Sequence, residues 1–107
     1  MEPIYHLALG VEWRRAEASG LDYDRSTVGR SLAEEGFIHC STRAQVEDTA
    51  RRYYAGQDDV ILLEIDPFAV AGLLVWEAVG EQVFPHLYGA LPLAAVTSVA
   101  PFAPFPG

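Results

Sequence analysis

The chain has no lysine, a single cysteine and no long apolar run. The missing lysine removes Schiff-base chemistry and a phosphate-loop lysine from consideration. Cys40 on its own cannot form an internal disulfide or supply a cysteine-rich metal site. The two most apolar stretches, Val60 to Ile65 and Leu73 to Val79, are broken by Glu64 and Glu77. Both fall far short of the roughly 18 apolar residues of a membrane span. No basic stretch and apolar signal core follow Met1, so the expected location is cytoplasmic. Positive charge is scarce: 7 basic against 15 acidic residues give a net charge of −8. Such a surface argues against nucleic acid as a bulk partner. It leaves room for a small anionic ligand held by one or two arginines, such as Arg14 or Arg43.

The 107 residues, half of them hydrophobic, suit one α+β domain with a proline-rich tail from about Ala100 to Gly107. Composition and period predict a strand over Pro3 to Leu9 and a helix from Val11 to Ser19 ended by Gly20. Leu21 to Arg30 reads as a loop anchored by Tyr23. Ser31-x-x-Glu34 and Thr42-x-x-Gln45 both have the form of a capping box. They open a short helix to Glu35 and a longer one to about Tyr54, with Val46, Ala50, Tyr53 and Tyr54 facing the core. Strands are expected at Phe37 to Ser41, Val60 to Ile65 (a central one), Leu73 to Val79 and Leu93 to Val99, with a single turn at Phe68 to Gly72. Val83 to Gly89, built around Pro85, reads as a compact loop or edge segment. The sum is five or so strands with two or three short helices.

All three histidines sit in apolar settings: Tyr5-His6-Leu7, Ile38-His39-Cys40 and Pro85-His86-Leu87. Alternation puts His6 with Ile4 and Ala8, His39 with Phe37 and Ser41, and Glu77 between Val75 and Val79. A carboxylate in that position is costly unless it is paired or stands at the mouth of a cleft. The plainer readings are a packed imidazole bonded to backbone, Glu77 on a solvated edge, and Ser41 capping the following helix. Cys40 faces away from His39, so a cysteine–histidine nucleophile is disfavoured. Pro85, two aromatics and Gly89 present His86 and Tyr88 in set positions.

Four motifs carry a resemblance over nearly the whole chain: Ile4-Tyr5-His6-Leu7, Glu35-Gly36-Phe37-Ile38-His39-Cys40-Ser41, Val75-Trp76-Glu77 and Phe84-Pro85-His86-Leu87-Tyr88-Gly89. In these the chain resembles the bacterial family called domain of unknown function 952, itself grouped with the ADP-ribosyltransferase and RNA 2′-phosphotransferase superfamily. The resemblance implies a small split β-sheet cleft that takes nicotinamide adenine dinucleotide as substrate. It implies a ribose-holding role for His6, a nicotinamide-side role for His39 and Ser41, and an acceptor-orienting role for Glu77 or His86. Glu77 would also stabilise the oxocarbenium-like state. The superfamily's Ser-Thr-Ser run and Glu-x-Glu pair are absent.

Three functions follow as alternatives. The first is a transferase or hydrolase acting on a nucleotide-like molecule, with His6, His39, Ser41, Glu77 and His86 in the chemistry and Tyr88, Arg43 and Arg14 on the ligand. The second is a binding module with the same cleft and no catalysis. The third is a metal site ligated by His6, His39 and His86.

Overall fold

A computed structural model describes residues 1–102; the end of the expected tail lies outside the described residues. The elements in order are β1 (Ile4–Leu9), α1 (Gly10–Ser19), β2 (Arg25–Thr27), β3 (Arg30–Ser31), α2 (Leu32–Glu35), β4 (Ile38–His39), α3 (Val46–Tyr53), β5 (Val60–Ile65), β6 (Leu74–Val79), β7 (Gln82–Leu87) and β8 (Val96–Pro101). Single 3₁₀ turns precede α3, at Arg43–Gln45, and β8, at Leu93–Ala95. The strands form two three-stranded antiparallel sheets, β1-β5-β8 and β4-β7-β6, and a small β2-β3 ribbon.

Among the described residues the two large sheets are joined by main-chain hydrogen bonds at one residue pair. Tyr5 and Ser41 exchange both main-chain hydrogen bonds, at 2.8 and 2.7 Å, as an isolated bridge. Continuing that register would set Leu7 opposite His39, but no ladder forms there. The main-chain groups left over are met by side chains. Tyr54 donates its hydroxyl to the Leu7 carbonyl at 2.7 Å, His6 reaches the His39 carbonyl, and the His39 N–H donates to Ser26 Oγ at 3.3 Å. Buried main-chain groups left unpaired would cost about 1–3 kcal/mol each, so these three side chains keep the split open at little penalty.

Strand alternation then makes two cores. Ile4 and Ala8 of β1 share a face with Ile61, Leu63 and Ile65 of β5, and pack with Trp13, Tyr23, Ile38, Leu87 and Leu91. Leu7 and Val60, on the opposite face, pack under Val46 and Ala50 of α3 and Tyr54 at its C-terminal cap. The i, i+4, i+8 spacing of those three makes one stripe of α3 apolar, while Arg51 and Arg52 stand in its last turn, where the helix dipole favours cations.

Both capping boxes form, at Ser31–Glu34 and Thr42–Gln45. Several elements differ from expectation. The stretch after Thr42 begins as a 3₁₀ turn before α3, and Leu93–Ala95 is a turn rather than the start of a strand. The loop at Leu21 to Arg30 contains β2 and leads directly into β3. Tyr53 is not in the core but 52 % exposed, because the apolar stripe continues at Tyr54, about 100° around from it. Pro85 lies inside β7, the middle strand of its sheet, rather than in a loop. The proline is tolerated because β4 is only two residues long and the chain leaves the ladder at Cys40, opposite Pro85, so the missing N–H falls where pairing ends.

Candidate functional site

The face of β4-β7-β6 on the side of α3 is not covered by the helix. Between them lies a cleft of about 350 Å³. Its floor carries His39, Phe84 and His86; Gln45, Asp48, Thr49, Arg52 and Tyr53 come from α3 and the turn before it; the β6–β7 turn, Val79 to Gln82, closes one end. Gln45 ties that turn to the helix by donating to the Val83 carbonyl at 3.0 Å.

The two cleft histidines are brought together by strand pairing. His39 and His86 stand directly opposite each other in β4 and β7. The Cys40 N–H donates to the Pro85 carbonyl at 3.0 Å, making Cys40–Pro85 a hydrogen-bonded pair and His39–His86 the adjacent non-hydrogen-bonded one. In an antiparallel ladder that is the position where side chains come closest. The imidazole centroids lie 5.2 Å apart with the rings at 82°. Phe37 stacks on His86 at 4.2 Å and meets His39 edge-on at 4.7 Å, so each ring is fixed on one side by an aromatic.

Each imidazole is also held by a carboxylate. Glu35 receives His39 Nε2 at 3.0 Å, and Glu77 receives His86 Nδ1 at 2.7 Å. The first contact depends on Gly36, whose φ of 94° turns the chain from α2 into β4 so that Glu35 comes alongside His39. Glu77 also accepts the Tyr88 hydroxyl at 2.5 Å. Those two bonds, Tyr88 first, hold the Glu77 carboxyl below the usual carboxylate range, and the same bond raises the Tyr88 phenol. Glu35 is lowered chiefly by its bond from His39. A carboxylate on one ring nitrogen keeps the proton there in the neutral imidazole and leaves the other nitrogen available. His39 Nδ1 and His86 Nε2 are the nitrogens so left.

His6 has a different environment. It lies on the opposite face of the split, 2 % exposed, among Tyr23 and the larger core. Its Nδ1–H donates to the His39 carbonyl at 2.5 Å, and its Nε2 accepts the Tyr23 hydroxyl at 2.9 Å. Burial lowers its pKa to about 4, so the ring is neutral at physiological pH. The three histidines therefore do not converge as one ligand set, and no cluster of three or more metal-ligating side chains occurs among the described residues. The three-histidine metal reading is set aside on that geometry.

Of the residues singled out in the sequence, His39, His86, Glu77 and Tyr88 come together. Ser41 is buried behind them, sharing a hydrogen bond with Thr49 Oγ1 at 3.0 Å. Arg14 pairs with Asp59 and Arg43 with Glu47; neither lines the cleft. Glu77 lies on an edge strand beside exposed valines, and its carboxylate is taken up by His86 and Tyr88. Cys40 borders the cleft, but burial pushes its thiol well up, so it offers no thiolate. Glu35, Phe37, Tyr53 and Arg52 are the site residues that sequence reasoning missed. A signal existed for two of them, since Glu35 and Phe37 flank Gly36 in the motif that ends in His39.

Over residues 10–99 the chain matches the family model described as Protein of unknown function (DUF952). The chain belongs to the DUF952 family. The chain is similar to a crystal structure of protein CC0527 from Caulobacter crescentus, 35% identical, with a TM-score of 0.82 over 92% of this chain and 84% of that one. A solution NMR structure of CC0527 from the same organism gives a TM-score of 0.75 at 35% identity, over 94% of this chain and 84% of that one. A search of curated proteins returns no match.

Proposed function

We propose that this DUF952 chain binds a small nucleotide-like molecule between α3 and the β4-β7-β6 sheet and transfers protons to and from it through His39 and His86. The observation that carries the proposal is the pair of imidazoles 5.2 Å apart at the cleft floor, each fixed by its own carboxylate. With one ring protonated and the other neutral, such a pair supplies a general acid and a general base to one bound group, an effect worth typically 10²–10⁴-fold in rate. The aromatic surfaces of Tyr53 and Phe84 suit a planar ring, and Arg52 suits a phosphate.

The finer reading is an ADP-ribosyltransferase-like enzyme with nicotinamide adenine dinucleotide as substrate, in which the nicotinamide–ribose bond breaks in the cleft. The split between β1 and β4 supports that reading. Because Glu77 is bonded to His86 and Tyr88, its charge would act on the ligand through His86 rather than by direct contact. That same commitment favours a second reading, a binding module without catalysis. Thermal shift with a panel of nucleotides and dinucleotides tests the binding, since a ligand at 100 times its dissociation constant stabilises by about 2.7 kcal/mol. The proposal expects a shift that is lost in His39→Ala and His86→Ala. Nicotinamide release then separates the enzyme from the binding module. A shift unchanged in both variants removes the cleft from consideration.

A further inference from the structure

β6 is the outer strand of its sheet among the described residues, with β7 as its partner there. Its sequence is Leu74-Val75-Trp76-Glu77-Ala78-Val79, and Trp76 is 46 % exposed, Val75 44 % and Val79 50 %. Soluble proteins commonly protect such an edge with lysine, proline, a bulge or a covering element. β6 has no lysine, no proline and no register shift against β7. Its one charged side chain, Glu77, is turned back onto His86 and Tyr88.

The ladder phase fixes which main-chain groups are free. The Tyr88 N–H donates to the Leu73 carbonyl at 2.8 Å, in the same register as the β6–β7 pairs. Alternation of hydrogen-bonded pairs then aims Val75, Glu77 and Val79 at β7, and Leu74, Trp76 and Ala78 outwards. We propose that β6 is a self-association edge, on which a second copy of this chain pairs antiparallel, β6 to β6, about a two-fold axis at Trp76.

The occupant follows from symmetry and charge. A two-fold joining two antiparallel edges lies perpendicular to the sheet, so each residue faces one from the same face of the other copy. Two centred registers satisfy this over the middle of β6. Centring on Glu77 sets carboxylate against carboxylate, which is destabilising. Centring on Trp76 sets Glu77 against Val75 of the second copy, Leu74 against Ala78, and the two indoles together. In that register the N–H and C=O of Trp76, the N–H of Ala78 and the C=O of Leu74 find partners, while the Leu74 N–H is already taken by the Val70 carbonyl at 3.1 Å. The apolar side chains left open on β6, together with Val83 across the hairpin, are covered from both faces.

Sedimentation of the intact chain over a range of concentrations tests this. A dimer is expected, strengthened by added salt because each copy carries a net charge of −8. Trp76→Lys should give a monomer by setting like charges face to face at the axis. Ala78→Pro should do the same through the backbone, since it removes an outward N–H from an edge strand, where proline is otherwise tolerated. Far-UV circular dichroism of both variants reports whether the fold is retained. Under mild oxidation Trp76→Cys should cross-link into a covalent dimer, and Val79→Cys should not. A monomer at every concentration overturns the proposal, as does a dimer that persists in the folded lysine and proline variants. Cross-linking at position 79 in place of 76 overturns the register.

Discussion

His6 gives the fold a pH dependence that can be worked out from its two hydrogen bonds. Folded, its pKa is lowered from 6.5 to about 4 by burial. A neutral ring donates through Nδ1 and accepts through Nε2; protonation would turn Nε2 into a donor facing the Tyr23 hydroxyl inside the core. Above pH 6.5 neither the folded nor the unfolded chain holds this proton, so His6 adds nothing to the pH dependence. As pH falls through 6.5 the unfolded chain takes up the proton while the folded chain does not, and stability drops until the folded pKa is reached. The slope approaches about 1.4 kcal/mol per pH unit, and the full loss is about 3 kcal/mol by pH 4. Urea unfolding at a series of pH values, for the wild type and His6→Gln, measures it. Glutamine sacrifices packing and hydrogen bonding at every pH but does not titrate. The variant should therefore be less stable at pH 7, and the gap should narrow steadily as pH falls towards 4. The lowered carboxyls of Glu35 and Glu77 lose their contribution as pH falls below the ordinary glutamate range, in both proteins alike. A gap that stays constant from pH 7 to 4 would falsify the buried, neutral assignment of His6.

Two further outcomes follow from other contacts. Tyr54→Phe removes the donor to the Leu7 carbonyl at the sheet split and should cost about 1–3 kcal/mol in chemical denaturation, with the fold retained. Glu77→Gln removes the carboxylate whose hydrogen bond, more than its charge, raises the Tyr88 phenol, so the tyrosine ring signals of Tyr88 in an NMR pH titration should move at lower pH than in the wild type; no change would mean the contact is not made in solution.

Much of this architecture follows from local chemistry legible in the chain. The Ser31 and Thr42 caps are local hydrogen-bond devices, and the apolar run of β5 specifies a central strand. The face alternation of β1 and β6 is equally local. What alternation cannot supply is which faces meet. His6 and His39 lie on opposite sides of the split because the Tyr5–Ser41 bridge sets them one residue out of phase, and that long-range pairing has no local signature. Pro85 suggests a loop, since a proline in a middle strand is tolerated only where its neighbour ends, and the length of β4 cannot be read from the β7 sequence. Tyr53 and Tyr54 show how fine the margin is: adjacent aromatics on one helix differ by about 100° in direction, enough to send one to the cleft rim and the other into the core. Glu35 was hidden for a related reason. It meets His39 across a left-handed glycine turn, and a helical i, i+4 rule does not extend through such a turn.

The central claim is that His39 and His86 face a ligand while His6 faces the core. Nitrogen-detected NMR of the three imidazoles, followed as nicotinamide adenine dinucleotide and then simple nucleotides are added, addresses it most directly. The expected result is that the ring resonances of His39 and His86 move together with those of Phe37 and Tyr53, while His6 keeps the signature of a neutral ring protonated at Nδ1. Ring shifts confined to His6, or ligand-induced changes that leave both cleft histidines unmoved, would contradict it.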